Sequence, residues 1–269
     1  MSAPAAQTAP IGHPLRAAAW MIGAIVSFTS MAVAGRAVSF ELDTFEIMLY
    51  RSLIGIVVVT TAARAFGTWQ EISTRSMGVH VVRNISHFTG QNLWFYAISA
   101  APLAQVFALE FTSPLWVTVL APLVLQERLT RTRAVAALLG FVGILIVARP
   151  SPDTMTLGLI AAAGAAVGFA GSAVFTRLLT RTETITCILF WLTVMQAVFG
   201  LICAGIDGDI AIPSPASWPW LVLIGLAGLV AHFCLSTALS LAPAPVVMRI
   251  DFARLPIIAL FCMALYAEP

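Results

Sequence analysis

Five charged residues stand inside apolar stretches long enough to cross a bilayer: Arg51, Glu110, Arg249, Asp251 and Arg254. A charge at the membrane centre costs about 2.5–3.5 kcal/mol on insertion scales, so each needs a partner or a water-filled cavity. Asp251 and Arg254 are three residues apart, hence neighbours on one helical face, and an internal ion pair is one reading of both. In the other reading the arginines meet a carboxylate or phosphate on a solute, while Glu110 or Asp251 takes up a proton. The spacing alone leaves both open. Uncharged polar residues extend the set: His87, Gln91, Asn92, Gln105, Gln196 and His232 also fall within apolar stretches. Such groups line a cavity or hydrogen-bond a neighbouring helix. Trp94, Phe95, Tyr96 and Trp116 offer an aromatic wall for a ring-bearing solute, or plain packing. The candidate set is therefore Glu110, Asp251, Arg249, Arg254, Arg51, Gln91, Asn92, His232, Trp94 and Trp116.

Other chemistry is not indicated. A catalytic site would need a nucleophile with a base, a metal cluster or paired carboxylates within reach, and no such pattern is legible. His80 and His87 flank the third apolar stretch with no nearby acidic or cysteine partner. Cys187, Cys203, Cys234 and Cys262 lie singly, with no metal-ligand or redox spacing, and read as small buried hydrophobes. No metal, cofactor or disulfide is expected.

The elements that must position these residues follow from composition. The chain is 60% hydrophobic and 10% charged, with a mean hydropathy of +0.96, whereas soluble domains carry about 25% charged side chains. There is too little charge to build a water-facing exterior, so lipid is the solvent. All 14 cationic residues are arginine, and a net charge of +2 gives no nucleic-acid footprint. A helix needs about 20 apolar residues to span the hydrocarbon. Nine segments qualify: 17–37, 45–66, 82–99, 103–125, 133–148, 156–179, 184–204, 218–241 and 245–267. Pro, Gly and charged residues punctuate the short linkers, which leave no room for a soluble domain. Residues 1–15 read as a disordered tail, and the first apolar segment is too long for a signal-peptide core. Arg16, Arg64, Arg75, Arg83, Arg128, Arg131, Arg133, Arg177 and Arg181 share one side, against Arg36 and Arg149 on the other. That bias places the N-terminus in the cytoplasm, for a multi-pass protein of the inner membrane.

One offset relates two parts of the chain. Adding 141 to positions in the third and fourth spans carries Ser99, Ala101 and Pro102 onto Ser240, Ala242 and Pro243, Glu110-Phe111 onto Asp251-Phe252, and Glu127 onto Glu268. Gln91 falls on His232. Each half then contains five helices. Five is odd, so the halves enter the membrane in opposite senses, the inverted repeat of many secondary transporters, whose sites lie near the midplane. The counterpart of the fifth span falls beyond Pro269, so a tenth helix is expected but absent. Glu127 and Glu268 close their spans and read as structural. Gly164 and Gly168 form a small-residue face for close helix contact.

The stretch Leu109-Glu110-Phe111-Thr112-Ser113-Pro114-Leu115-Trp116, with Gln126-Glu127-Arg128-Leu129 and Gly140-Phe141-Val142-Gly143-Ile144-Leu145-Ile146-Val147, resembles an EamA-type member of the drug/metabolite transporter superfamily. Ala267-Glu268-Pro269 resembles the second copy of the signature. The resemblance implies an all-α polytopic protein with two inverted five-helix repeats, over residues 16–149 and 150–269, of which about nine helices are present. It also implies export or exchange of a small organic metabolite, amino-acid-like or nucleotide-like. Proton coupling or exchange, and a homodimer, are compatible with it. A membrane-embedded enzyme, a channel and a lipid scramblase are the alternatives.

Overall fold

The computed structural model describes residues 13–126, 131, 135, 138–143, 156–206 and 208–254. Most of the N-terminal tail, most of the fifth span, Glu127, Glu268, the end of the ninth span and the expected place of a tenth helix lie outside the described residues.

Every described element is helical. The order is α1 (Pro14–Val38), α2 (Thr44–Ala65), a 3-10 turn (Trp69–Glu71), α3 (Met77–Ala100), α4 (Leu103–Glu110), α5 (Ser113–Leu125), α6 (Leu157–Leu179), α7 (Ile185–Ala204), α8 (Trp218–Leu241), α9 (Ala244–Ile250) and a 3-10 turn (Asp251–Ala253). Local chemistry sets several starts. Asp43 accepts from the N–H groups of Phe45 and Glu46 while Glu46 reaches back to the Asp43 N–H, a complete capping box on α2. Thr156 and Thr184 cap α6 and α7 through their hydroxyls. Six described stretches are long and apolar enough to cross a membrane, so the chain is an all-α polytopic membrane protein, as its composition requires.

Two spans depart from the sequence reading. The third starts at Met77 rather than near position 82, because its first turns carry His80, Arg83 and Asn84. These polar side chains depress hydropathy yet are buried against other helices. The fourth span is two helices broken at Phe111-Thr112. Pro114 has no N–H to offer and its ring crowds the carbonyl of residue 110, so the ladder is interrupted just after Glu110.

The 141-residue correspondence holds in three dimensions. Met77–Ala100 shifted by that offset falls on Trp218–Leu241, and Leu103–Glu110 falls across Ala244–Ile250 and Asp251. The linking turns match in backbone: Ala101 (φ −145°, ψ 161°) with Ala242 (φ −146°, ψ 157°), and Pro102 (φ −58°, ψ 133°) with Pro243 (φ −57°, ψ 143°). The broadest packing faces, α3 with α6 and α1 with α8, exchange under the same correspondence, and α2 with α7 maps onto itself. In lipid, apolar surface gains little by leaving the solvent, so close approach of small residues carries helix association. At the α3–α6 crossing a Cβ on Gly168 would stand 2.7 Å from the Gly90 Cα and 2.8 Å from the Ser86 carbonyl oxygen. The expected small-residue face is therefore a packing contact of α6.

The bundle has two ends. Starts of α1, α3, α7 and α9 meet the ends of α2, α5, α6 and α8 at the N-terminal face, tied by the His13 N–H to the Leu241 carbonyl (3.0 Å) and Arg181 Nη2 to the Leu125 carbonyl (3.0 Å). At the opposite face the loop before α8 is fastened to the start of α2 by Glu41, Glu46 and Tyr50.

Candidate functional site

Glu110 ends α4, having entered from the opposite face, and Asp251 follows α9, having entered from the N-terminal face. Each lies about seven residues in, or roughly 10 Å at 1.5 Å per residue, so the two short helices bring their carboxylates toward the midplane from opposite sides. Arg254 joins them. Its Nη2 donates to Glu110 Oε1 at 2.7 Å and to Asp251 Oδ2 at 2.8 Å, and all three side chains are buried. Trp94 on α3 completes the set, its indole N–H donating to Glu110 Oε2 at 2.6 Å. The guanidinium is also held between rings, 5.1 Å from the centre of Phe28 and 4.9 Å from that of Phe111. Two carboxylates face one guanidinium, so the cluster is neutral only with one proton bound. Asp251 Oδ1 and Arg254 Nε keep no hydrogen-bond partner among the described residues.

This triad is one wall of a cavity between the helices. Phe28, Trp94, Phe111 and Phe169 supply aromatic surface, while His87, Gln91 and His232 supply polar groups. His87 and His232 meet edge to face at 4.7 Å. The Nε2 atoms of His87, Gln91 and His232 are buried with no hydrogen-bond partner among the described residues. Such groups are costly unless something bonds them, which marks this wall as one that receives polar atoms.

A smaller cavity lies beyond His232, which lines both. Arg51, Ser52, Thr193, Gln196 and Gly228 surround it. Nearer the N-terminal face, a buried network runs from Arg83 Nε to Thr176 Oγ1 (3.1 Å) and from Arg83 Nη1 to Asn84 Oδ1 (3.0 Å), which also accepts from Gln196 Nε2 (3.1 Å).

The residues that could hold a metal lie elsewhere. His80, Glu183 and Cys187 place their donor atoms within 4.8 Å of one another, with Cys187 Sγ 3.9 Å from His80 Nε2. The expectation that His80 lacks an acidic or cysteine partner is thus overturned: packing of α7 near the start of α3 joins positions 107 residues apart. Among the described residues His80 Nδ1 has no acceptor, so the orienting bond that metal-bound imidazoles usually have is not found there.

The EamA-like transporter family matches residues 15–149. A riboflavin transporter of Vibrio cholerae is 31% identical over 91% of this chain and 83% of its own. The chain belongs to the EamA-like transporter family. It is a multi-pass membrane transporter of a small molecule and not an enzyme, within the drug/metabolite transporter superfamily. A riboflavin transporter of Brucella anthropi is 32% identical over 82% of this chain and 79% of its own. An S-adenosylmethionine uptake transporter of Rickettsia bellii is 24% identical over 93% and 84%. A solved crystal structure aligns with a TM-score of 0.72 at 19% identity, covering 92% of this chain and 87% of that one, a likeness of fold.

Within this EamA-like fold the candidates separate. Glu110, Asp251, Arg254, Trp94, Gln91 and His232 converge on the central cavity. Arg51 lines the adjoining one. Arg249 does not join them, its Nε donating to the Pro245 carbonyl. Asn92 turns back to the Phe88 carbonyl, and Trp116 is 43% exposed on the outer side of α5. Phe28 and Phe169 were missed by sequence reasoning, since one aromatic residue on an apolar helix has no pattern of its own. Arg83 is corrected: it is 1% exposed inside the bundle and not a surface residue, because α3 begins a turn earlier than hydropathy indicates.

Proposed function

We propose that this protein carries a ring-bearing metabolite inward across the bacterial inner membrane, with its N-terminus in the cytoplasm, and couples that movement to a proton held by Glu110 or Asp251. The observation that carries the reading is the triad itself: two carboxylates from equivalent positions of the two halves share one guanidinium beside an aromatic-lined cavity. Rings of Phe28, Phe111, Trp94 and Phe169 give a flat heteroaromatic solute surface to stack on, and the open Nε2 groups of His87, Gln91 and His232 give its polar edge partners. Relatives named for riboflavin and S-adenosylmethionine, both ring-bearing, support this substrate class. The S-adenosylmethionine relatives are named for uptake, which favours inward flux over the export or exchange expected from the sequence. The spare negative charge of the triad supports proton coupling, because solute entry and proton binding can compete for one carboxylate.

Purified protein in proteoliposomes tests the reading with labelled riboflavin and S-adenosylmethionine. Saturable uptake of at least one, competed by its unlabelled form, is expected. Unsaturable flux, or passage of inorganic ions or lipid instead, would point to a channel or scramblase.

A further inference from the structure

Arg51 and Arg83 are the unexplained charges of the bundle. Arg51 is 7% exposed, and its only hydrogen bond among the described residues is from Nη1 to the Met48 sulfur at 3.7 Å. Arg83 bonds only neutral groups, Thr176 Oγ1 and Asn84 Oδ1. Neither has a carboxylate within salt-bridge distance among the described residues, in contrast to Arg254, which has two. A buried guanidinium cannot shed its proton to escape the penalty, so a positive charge here calls for an anion.

The surroundings make room for one. The Arg51 guanidinium lies against Gly228 of α8, where an added Cβ would stand 2.5 Å from its Nη2, so the absence of a side chain there lets the head group reach the small cavity. Arg83 stands behind, joined through Asn84 to Gln196 on the cavity wall. His232, whose Nε2 is buried and has no partner among the described residues, is the wall common to this cavity and the central one.

We infer that Arg51, backed by the charge of Arg83, forms an oxyanion subsite that takes a carboxylate or phosphate borne by the transported molecule while its ring occupies the central cavity. The inference rests on the proposed carrier function and narrows its substrate class to anion-bearing ring compounds. Arg51 is the contact; Arg83 is a positioning residue that raises the local potential through the Asn84–Gln196 bridge. The guanidinium fork suits an oxyanion, and a lone halide would use only one of its edges.

The test uses the full chain in detergent with two kinds of probe. The first is inorganic phosphate against chloride at matched ionic strength, read by thermal unfolding. The second is riboflavin against its 5′-phosphate, read by equilibrium binding. Phosphate is expected to raise the unfolding temperature of the wild type but not of Arg51→Gln. The phosphorylated flavin should bind about tenfold to a hundredfold more tightly than riboflavin, the range of a bond to a charged group. Arg51→Gln should erase that preference, so that the two flavins bind with equal affinity, and Arg83→Gln should reduce it, with Arg83→Lys restoring part. If Arg51→Gln does not fold, Gly228→Ala, which displaces the guanidinium, gives the same reading. Protection by phosphate without a flavin preference would overturn the substrate-borne source in favour of a resident inorganic ion. No protection and no preference would overturn the subsite. Loss of binding by every ring compound, with phosphate protection intact, would instead overturn the carrier reading and leave the anion site standing.

Discussion

The bundle holds buried arginines in two ways. Arg254 is fixed by Glu110 and Asp251 and held between the Phe28 and Phe111 rings, so its charge is answered within the protein. Among the described residues, Arg51 and Arg83 have only a thioether, an amide and a hydroxyl. A paired charge at the midplane is held in place, and what it can exchange is the surplus carboxylate's proton. An unanswered charge is stabilised only when a ligand arrives. On the proposals made above, similar residues would do different work: the triad would couple, and the arginine pair would select.

The largest test of that contrast is stability. Arg254→Leu leaves two buried carboxylates without their partner and should cost about 3–5 kcal/mol, seen as loss of folded protein or a steep fall in unfolding temperature. Arg51→Met removes a charge that has no partner, so in anion-free buffer its unfolding temperature should be unchanged or raised. Equal losses in the two variants would erase the distinction.

Next in size is the frame on which both regions sit, since α3 contributes Trp94 to one and Arg83 to the other. Gly168→Ala forces a methyl into the α3 backbone and should cost about 1–3 kcal/mol. Gly143→Ala, which meets nothing within 4 Å among the described residues, should leave thermal unfolding unchanged.

Trp94→Phe keeps the ring but removes the donor to Glu110. A bond to a charged group is worth about 1.5–3 kcal/mol, and the triad should respond through the pH dependence of flux more than through substrate affinity. A shift in substrate KM with an unchanged pH profile would place Trp94 in the aromatic wall alone.

The smallest effect belongs to the opposite face. Hydrogen bonds from the Ser217 hydroxyl and then from the Ser214 N–H and hydroxyl hold the Glu41 carboxyl below its usual range. A lowered carboxylate contributes stability that is fully present above the ordinary value of 4.5 and is lost as pH falls through the folded value. The small difference in unfolding temperature between wild type and Glu41→Gln should therefore be constant at neutral pH and close only in acid.

Much of the fold was legible because lipid imposes a strict rule: every span must be long, apolar and internally bonded. Proline and acidic residues at one offset revealed the repeat, because Pro102 and Pro243 end helices for the same steric reason in both halves. Glu110, Asp251 and Arg254 stood out by their cost at depth. What stayed hidden depended on packing across helices. That Arg254 binds Glu110 as well as Asp251 joins positions 144 residues apart, and no local spacing encodes it. Arg83 was assigned to the surface because polar neighbours on α3 made its first turns look like a loop. Trp116 sits close to Glu110 in sequence, yet the break at Phe111-Thr112 starts α5 afresh and its ring faces outward.

The central claim is that the shared carboxylate site couples solute movement to a proton, and gradient-driven uptake by Glu110→Gln in proteoliposomes tests it most directly. With a pH gradient imposed and labelled riboflavin or S-adenosylmethionine outside, the wild type should accumulate solute. Glu110→Gln, which keeps the shape but cannot ionise, should lose the response to the gradient while still exchanging labelled for unlabelled solute. Undiminished gradient-driven accumulation by Glu110→Gln would contradict the account.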